Sequence, residues 1–315
     1  MKLMITRELT DAVIAAARAR FDVTLRDRED LPEADELVAM LRDYDAILCS
    51  IGDRFNAEVF AQVPEPRAKL LANFGAGYNH LDVPAARAAG LAVTNTPGAV
   101  TESTADIGVS LVLMAARRLG EGERIVRAGQ WRGWKPTQML GTHVTGKTVG
   151  IIGMGRIGKA VARRLYHGFG MDVIFHNRSV VADAGVPATQ VDFNTAMAAD
   201  FVVVCVPGGA GTYHLIDKDA LAAMRPHGIF VNISRGDVVD ETALIAALQA
   251  GQIRAAGLDV FEFEPDVPQA LCEMDNVVLL PHLGTACVEA RDEMGFLALS
   301  NVIALEEGKP YPTPV

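Results

Sequence analysis

The chain has 315 residues, of which 50% are hydrophobic and 22% charged. It is therefore long enough for two globular domains, and its composition excludes a disordered, collagen-like or coiled-coil protein. The formal net charge of −10 at pH 7 would repel a phosphate backbone, and no Lys/Arg-rich stretch offsets it, so we expect no nucleic-acid partner. No apolar run approaches the length of a membrane span or of a signal-peptide core, so we expect a cytoplasmic protein with no membrane partner.

The four cysteines lie far apart in the sequence. They are Cys49, Cys205, Cys272 and Cys287, without a CxxC pair or the His/Cys spacing of a zinc site. We therefore expect reduced thiols and no metal centre.

The first hundred residues alternate short runs rich in valine and isoleucine with alanine-rich segments of helical period. This is the pattern of βαβ units that build a parallel sheet. Helices are predicted, for instance, at Asp11 to Arg20 and Pro32 to Leu41. The predicted strands are Lys2 to Ile5, Phe21 to Leu25, Ala46 to Cys49, Lys69 to Asn73 and Ala92 to Asn95.

A long helix is predicted from Thr101 to Arg127, after the breaker Pro97-Gly98, and it could join two domains. A second series of six strands follows, enough for a dinucleotide-binding sheet. These strands are Thr148 to Ile152, Asp172 to His176, Phe201 to Val206, Gly228 to Ile233, Ala255 to Leu258 and Val277 to Leu280.

The last segment, Thr285 to Glu306, is again helical and follows the completed second sheet. We expect it to return to the first domain, with hinges near Gly98 and Thr285. The predicted fold class is α/β, with two doubly wound parallel-sheet domains. A Rossmann cofactor domain (residues 99–285) would be inserted in a discontinuous, flavodoxin-like substrate domain (residues 1–98 and 286–315).

A GxGxxG motif, Gly153-Met154-Gly155-Arg156-Ile157-Gly158, directly follows the strand that begins at Thr148. The helix after it carries Ile157, Val161 and Leu165 at helical spacing, so strand, loop and helix come in the order that a dinucleotide site requires. Gly153 permits the tight turn, Gly155 lets the backbone approach a pyrophosphate, and Gly158 allows close packing of the helix on the sheet. A glycine-rich turn without a ligand is the alternative.

The end of the second strand of this sheet bears on the choice of cofactor. An NAD site places Asp or Glu there to bind the ribose hydroxyls, whereas this strand ends in Asn177-Arg178-Ser179. No carboxylate would repel a 2′-phosphate, and Arg178 with Ser179 could bind one. We therefore expect NADP(H), with NAD(H) as the weaker cofactor. The alternative is that Arg178 is a solvated loop charge and the site accepts both.

Candidate catalytic residues follow the later strands of the same sheet. Reduction of a 2-keto acid needs a cation to hold the carboxylate and an acid to protonate the carbonyl oxygen. Arg235 and His282 stand at strand ends, where ligands bind in open α/β sheets. A carboxylate beside the histidine would favour its protonated form and fix the ring. Spacing alone leaves Asp259, Glu262 and Glu264 as candidates for that carboxylate.

At this point the sequence resembles the D-isomer-specific 2-hydroxyacid dehydrogenase family over nearly its whole length. Several separate motifs match in one order. They are Asn73-Phe74-Gly75-Ala76-Gly77-Tyr78-Asn79-His80-Leu81-Asp82, Asn95-Thr96-Pro97-Gly98, Gly150 to Gly158, Asn232-Ile233-Ser234-Arg235-Gly236, Gly257 to Pro265 and Leu280-Pro281-His282-Leu283-Gly284.

The resemblance implies roles for particular residues. It places the substrate-binding arginine at Arg235, the supporting acid at Glu264, the proton donor at His282, and a substrate-carboxylate loop at Gly75-Ala76-Gly77. It also implies closure of a hinge over the substrate. The implied cofactor contacts are Thr104, Met154, Gly155, Arg156, Ile157, Asn177, Arg178, Ser179, Val206, Pro207, Thr212, Ile233, Asp259, His282 and Gly284.

Within the family, Asn177-Arg178-Ser179 looks like the NADPH-using glyoxylate and hydroxypyruvate reductases. The segment Trp131-Arg132-Gly133-Trp134-Lys135-Pro136 resembles the loop by which such reductases place a tryptophan near the partner subunit's substrate, and the family pattern suggests homodimers. A pair of interface anchors is the alternative for these tryptophans. The expected function is NADPH-dependent reduction of a small 2-keto acid to a D-2-hydroxy acid.

Three other functions stay open at this stage. The first is a phenylpyruvate-type or other D-2-hydroxyacid dehydrogenase. The second is a cofactor-sensing binding protein like the corepressors that share the fold, which fold alone does not exclude. The third is a phosphoglycerate-dehydrogenase-like enzyme, against which the missing carboxylate at Asn177-Arg178-Ser179 counts.

Overall fold

The computed structural model describes residues 1–315 and divides them into two compact units. Unit 1 comprises Met1–Val100 and Thr285–Val315, and unit 2 comprises Thr101–Gly284. The assignment of substrate binding to one unit and dinucleotide binding to the other stays a prediction.

Unit 1 contains a five-stranded parallel sheet in the order β2-β1-β3-β4-β5, which is the flavodoxin-like order. The strands are β1 (Lys2–Ile5), β2 (Asp22–Leu25), β3 (Ala46–Ser50), β4 (Leu70–Phe74) and β5 (Ala92–Thr94). The helices are α1 (Asp11–Arg20), α2 (Ala34–Asp43), α3 (Ala57–Ala61), α4 (Val83–Ala88) and, at the far end of the chain, α12 (Val288–Glu307).

The apolar runs of unit 1 form strands that are buried in its hydrophobic core. Every residue of β4 is buried, as expected for a central parallel strand covered on both faces. Helix α12 packs on β4, and α1 packs on α12. A Cβ at Gly295 would lie 2.4 Å from Cγ2 of Val13, so α12 approaches α1 this closely only with glycine at that position.

Unit 2 contains a seven-stranded parallel sheet in the order β12-β11-β10-β9-β6-β7-β8. Its strands are β6 (Thr148–Ile152), β7 (Asp172–His176), β8 (Ala188–Gln190), β9 (Phe201–Val204), β10 (Ile229–Asn232), β11 (Ala255–Leu258) and β12 (Val277–Leu279). Its helices are α5 (Thr101–Arg117), α6 (Leu119–Arg127), α7 (Arg156–Phe169), α8 (Phe193–Met197), α9 (Lys218–Ala222), α10 (Glu241–Gln249) and α11 (Gln269–Cys272). The strand order reverses beside β6, which is where a Rossmann sheet binds its ligand.

Two hydrophobic clusters cover the faces of this sheet. One includes residues of α5 and α7, and the other includes residues of α8, α9 and α10. The predicted fold class, α/β with two doubly wound parallel sheets, is confirmed by this topology. None of the helices is long and apolar enough to cross a bilayer.

Two predictions of secondary structure are wrong. The predicted single helix from Thr101 to Arg127 is two helices, because Arg118 has φ +54° in the left-handed region and separates α5 from α6. The break is at Arg118, which makes two hydrogen bonds to the Glu121 carboxylate, and Gly120 and Gly122 lower the helix propensity of the first turn of α6 that follows it. The edge strand β8, three residues with a polar Thr189 and Gln190, was absent from the predicted strands.

Candidate active site

The glycine loop between β6 and α7 has the geometry of a phosphate site. Gly153 has φ +99°, and a Cβ there would lie 2.8 Å from Cγ1 of Val206. A Cβ at Gly158 would lie 2.2 Å from the carbonyl oxygen of Gly153, so both positions require glycine. A Cβ at Gly155 would meet nothing within 4 Å, and no side chain caps α7 at that residue. The open N-terminus of α7 therefore offers N–H groups to an anion.

The neighbouring predicted cofactor residues frame this loop. Met154 is buried, whereas Arg156 is exposed on the first turn of α7, followed by the half-buried Ile157. The Met154 N–H donates to Oδ1 of Asn177 over 3.3 Å. This bond connects the glycine loop to the end of β7, the position that reads the adenosine ribose in dinucleotide sites.

The segment Asn177-Arg178-Ser179 is ordered by amide hydrogen bonds. The Asn177 side-chain amide donates to the carbonyl and hydroxyl oxygens of Ser179, and Nε2 of Gln190 donates to the carbonyl oxygens of Asn177 and Ser179. Arg178 is exposed and forms no ion pair within the chain. The loop therefore presents an unpaired guanidinium at the end of β7.

The segment after β9, which begins near Val206, lies against the glycine loop. Thr212 Oγ1 donates to the carbonyl oxygen of Pro207 over 2.7 Å and thereby holds a tight loop. Ser234, the residue after the buried Ile233, donates from Oγ to the carbonyl oxygen of Val206 over 2.6 Å. The ends of β9 and β10 are thus tied together beside Gly153.

Arg235 lies largely buried directly after these residues. Its Nη1 donates to the carbonyl oxygen of Ser234 over 2.7 Å, and it forms no direct salt bridge. Burial lowers the pKa of Arg235, and the nearby carboxylates of Glu264 and Asp237 oppose that shift. A partly buried guanidinium with unused donors is suited to bind a carboxylate in two hydrogen bonds.

The structure brings Glu264 to His282. Oε2 of Glu264 lies 2.8 Å from Nδ1 of His282, and Oε1 accepts a hydrogen bond from the Phe261 N–H. Burial acts to raise the pKa of Glu264, but the hydrogen bond and charge of His282 outweigh it, so the pKa is lowered. With Nδ1 held, the Nε2 atom of His282 is the one left to meet another molecule.

The Asp259 carboxylate orders the loop that carries His282. Its Oδ1 accepts from the Leu283 N–H over 2.6 Å and its Oδ2 from the Gly284 N–H over 2.9 Å. Burial raises the pKa of Asp259. A Cβ at Gly284 would lie 3.2 Å from Oγ1 of Thr104 and 3.3 Å from Oδ2 of Asp259, so three of the predicted cofactor residues come together. Asp259 uses both oxygens in the protein, and a direct cofactor contact stays a prediction.

The third acid of the cluster, Glu262, has a different partner. Its Oε1 lies 2.8 Å from Nε2 of His214, whose ring stacks on Tyr213. The Glu262 N–H donates to the carboxylate of Glu241, a buried residue of α10. Of the three acids that spacing could not separate, only Glu264 hydrogen-bonds the imidazole of His282, whereas Asp259 accepts the backbone N–H of His282 on its carbonyl oxygen.

In unit 1, the Gly75 loop (Gly75-Ala76-Gly77) follows β4. The fully buried Asn73 donates from Nδ2 to the carbonyl oxygens of Gly75 and Gly77, and Nδ2 of Asn95 donates to that of Ala76 over 2.8 Å. No acceptor in the chain receives the N–H of Ala76 or of Gly77.

No separate role was predicted for Asn73, Asn95, His214 or Glu241. An asparagine at the end of an apolar strand was the available signal for the first two, since an amide that becomes buried there must find partners. The tryptophans of the segment Trp131 to Pro136 are exposed, Trp134 by 80%. Their expected place near a partner subunit stays a prediction. No cluster of three or more His, Cys, Asp or Glu side chains is arranged to hold a metal ion.

Comparison with known proteins is consistent with this geometry. Residues 109–284 match the family model described as the D-isomer specific 2-hydroxyacid dehydrogenase NAD-binding domain. The chain is 41% identical to a glyoxylate reductase of Thermococcus onnurineus and 39% identical to one of Pyrococcus horikoshii, covering all of this chain and 95% of each relative. A solved structure of an NADPH-dependent glyoxylate/hydroxypyruvate reductase from Sinorhizobium meliloti, in complex with NADP and malonate, is similar with a TM-score of 0.88 and 37% identity, covering 100% of this chain and 96% of that one.

Proposed function

We propose, since the chain belongs to the D-isomer specific 2-hydroxyacid dehydrogenase family, that it reduces glyoxylate and hydroxypyruvate to the corresponding 2-hydroxy acids with NADPH. The observation that carries the proposal is the His282–Glu264 pair, which leaves Nε2 free at the strand ends that also carry Arg235 and the glycine loop. The glyoxylate reductases among its relatives support the choice of substrate.

The cofactor site fits a dinucleotide phosphate because the space beside Gly155 is open and α7 has an uncapped N-terminus. When bound, NADPH supplies a hydride to the keto carbon. The N–H groups of Gly155, Arg156 and Ile157 would hold the pyrophosphate. The remainder of the site would be lined by Thr104, Met154, Val206, Pro207, Thr212, Ile233, Asp259 and Gly284. Arg178 and Ser179 would bind the 2′-phosphate.

His282 would donate the proton. Because Glu264 occupies Nδ1, Nε2 is the atom that protonates the carbonyl oxygen as it becomes a hydroxyl, and Glu264 stabilises the imidazolium beforehand. Arg235 would bind the substrate carboxylate and polarise the carbonyl, favoured by its burial. In unit 1, the Gly75 loop, through the N–H groups of Ala76 and Gly77 that have no acceptor in the chain, would bind a substrate carboxylate.

We also propose that the protein is a cytoplasmic homodimer. The dimer is supported by large apolar side chains that are exposed on and after α6, namely Leu119, Val126, Trp131 and Trp134.

A panel of keto acids with both cofactors tests the proposal. We expect kcat/KM to be highest for glyoxylate or hydroxypyruvate, lower for pyruvate and phenylpyruvate, and higher with NADPH than with NADH. Arg178→Ala should raise the KM for NADPH about tenfold, the effect of losing a hydrogen bond to a charged group, and leave the KM for NADH unchanged. Arg18→Ala, at another exposed arginine with no ion pair, is the matched control.

Two results would overturn parts of the proposal. An unchanged preference for NADPH in Arg178→Ala would remove the 2′-phosphate assignment. Absence of NADPH oxidation with all four keto acids, in protein that binds NADPH tightly, would overturn the reductase activity itself.

A further inference from the structure

The amide side chains around the Gly75 loop point to a positioning role. We propose, resting on the proposed function, that Asn73 and Asn95 are positioning residues that turn the N–H groups of Ala76 and Gly77 toward the substrate carboxylate. All three carbonyl oxygens of the loop accept a hydrogen bond from one of these two side chains. The two asparagines thus determine KM for the keto acid without touching the substrate.

Both polar atoms of the Asn73 side-chain amide are hydrogen-bonded. Its Nδ2 donates to the carbonyl oxygens of Gly75 at 2.9 Å and Gly77 at 3.0 Å, which uses both of its hydrogens. Its Oδ1 lies 3.0 Å from Nε2 of His80. Because Asn73 is fully buried, water does not compete for these bonds, and the amide has one orientation.

Asn95 holds the middle carbonyl and is itself anchored to the segment after α12. Its backbone oxygen accepts from Oγ1 of Thr313 over 2.6 Å and its N–H donates to the Thr313 carbonyl. Asn301, a buried residue of α12, exchanges two hydrogen bonds with Thr313. The return of the chain to unit 1 therefore fixes a residue that orders the Gly75 loop.

The direction of the N–H groups follows from the direction of the carbonyls. Successive carbonyl oxygens that all bond inward to side-chain amides leave the intervening N–H groups without an internal partner, and none is found for Ala76 or Gly77. Unbonded successive N–H groups form a concave site for an anion. A carboxylate is the anion that every proposed substrate carries.

Alanine variants at the two positions test this inference. We expect Asn73→Ala and Asn95→Ala each to raise the KM for glyoxylate about tenfold, because misaligned donors lose a charge-assisted hydrogen bond. The kcat should change less than about threefold and the KM for NADPH not at all, since neither the proton donor nor the glycine loop is altered. Asn79→Ala, at the exposed asparagine of the same segment, should leave every constant unchanged.

A binding measurement separates this inference from the proposed function. Titration calorimetry of NADPH-bound enzyme with oxalate, a dicarboxylate that accepts no hydride, should show the same tenfold loss of affinity in both variants. Wild-type KM and oxalate affinity in both variants would overturn the positioning role and leave the reductase standing, as would a fall in kcat alone. A wild-type enzyme that reduces no keto acid would overturn the proposed function, and the oxalate titration would then decide the positioning role by itself.

Folding of the variants is checked by thermal unfolding. If Asn73→Ala does not fold, Asn95→Ala, at a half-buried position, carries the test.

Discussion

Unit 2 contains two histidine–glutamate pairs whose acids lie only two residues apart, and only one of them is suited to proton transfer. His282 pairs with Glu264 and His214 with Glu262, each with a nitrogen–oxygen distance of 2.8 Å. Both histidines have left-handed backbones, with φ +54° and +47°. Distance, acid and backbone conformation are thus the same in the two pairs, and none of these features can distinguish their chemistry.

The pairs differ in which ring nitrogen is used. Glu264 binds Nδ1 of His282 and leaves Nε2, the nitrogen at the tip of the ring, for another molecule. Glu262 binds Nε2 of His214, and the His214 ring stacks on Tyr213 with centroids 4.0 Å apart. The Nε2 atom of His214 is therefore already hydrogen-bonded. The pair joins the loop after β9 to the loop after β11 that carries Glu262.

The acids also differ in their surroundings. The charge of the half-buried Arg235 acts on Glu264, whereas the N–H of Glu262 is bound to the carboxylate of Glu241. A histidine–carboxylate pair is a candidate for general acid catalysis only where the other nitrogen is free and a substrate-binding cation is near.

Replacing the histidines one at a time should give the largest contrast. We expect His282→Asn to lower kcat about a thousandfold, the usual contribution of a general acid, while the Kd for NADPH stays close to that of the wild type. Asparagine is chosen because it tolerates the left-handed backbone at this residue. His214→Asn is the matched control, and steady-state kinetics with glyoxylate compares them. Similar losses of kcat in both variants would remove the distinction between the pairs.

Replacing the acids should give a smaller contrast. Glu264→Gln should lower kcat on the order of a hundredfold, because the amide neither stabilises the imidazolium nor fixes the ring as a carboxylate does. Glu262→Gln should leave kcat within about threefold of the wild type, since the Glu262 carboxylate hydrogen-bonds His214 and not His282. Equal kcat values for the two variants would contradict the assignment of Glu264.

Glu264→Gln should also change the pH dependence of stability. The folded-state pKa of Glu264 lies below its ordinary value of 4.5, so its ionised form stabilises the fold above that pH, and this stabilisation is lost as the pH falls through the lowered pKa. Urea unfolding at pH 7 and at pH 3 should therefore show Glu264→Gln less stable than the wild type at pH 7 and the gap closing at pH 3. A constant gap would contradict the sign of the shift.

The sequence predicted the sheets well because burial on both faces of a parallel strand produces continuous apolar runs, as in β4 and β9. It did not predict β8, where an edge strand carries polar residues that pack little. The left-handed backbone of Arg118 was also not predicted, because arginine has no preference for a positive φ that the sequence could reveal.

For the site, spacing located the acidic cluster but could not choose among Asp259, Glu262 and Glu264, because each lies near the end of β11 and only the path of the loop decides which reaches His282. The resemblance to a known family chose Glu264, and the structure places that residue against the histidine. Asn73 donates to carbonyls only two and four residues along the chain, so its bonds depend on the path of the loop after β4. Asn95 reaches the Ala76 carbonyl only once β4 and β5 are paired.

The smallest expected effect is the loss of stability on removing the His214 side chain from the His214–Glu262 pair. His214→Asn, which keeps a residue that tolerates the left-handed backbone, should lower the unfolding free energy by about 1 kcal/mol, the usual contribution of a hydrogen bond together with an aromatic contact. The Kd for NADPH should rise no more than about threefold, because Thr212 keeps its own bonds to Pro207 and Gly209 when the histidine is lost. His227→Ala, which removes an exposed histidine 2.9 Å from Asp200, is the matched control for loss of a surface pair. Fluorescence titration with NADPH and urea unfolding measure both quantities, and a loss of kcat as large as that of His282→Asn would show that His214 takes part in the reaction after all.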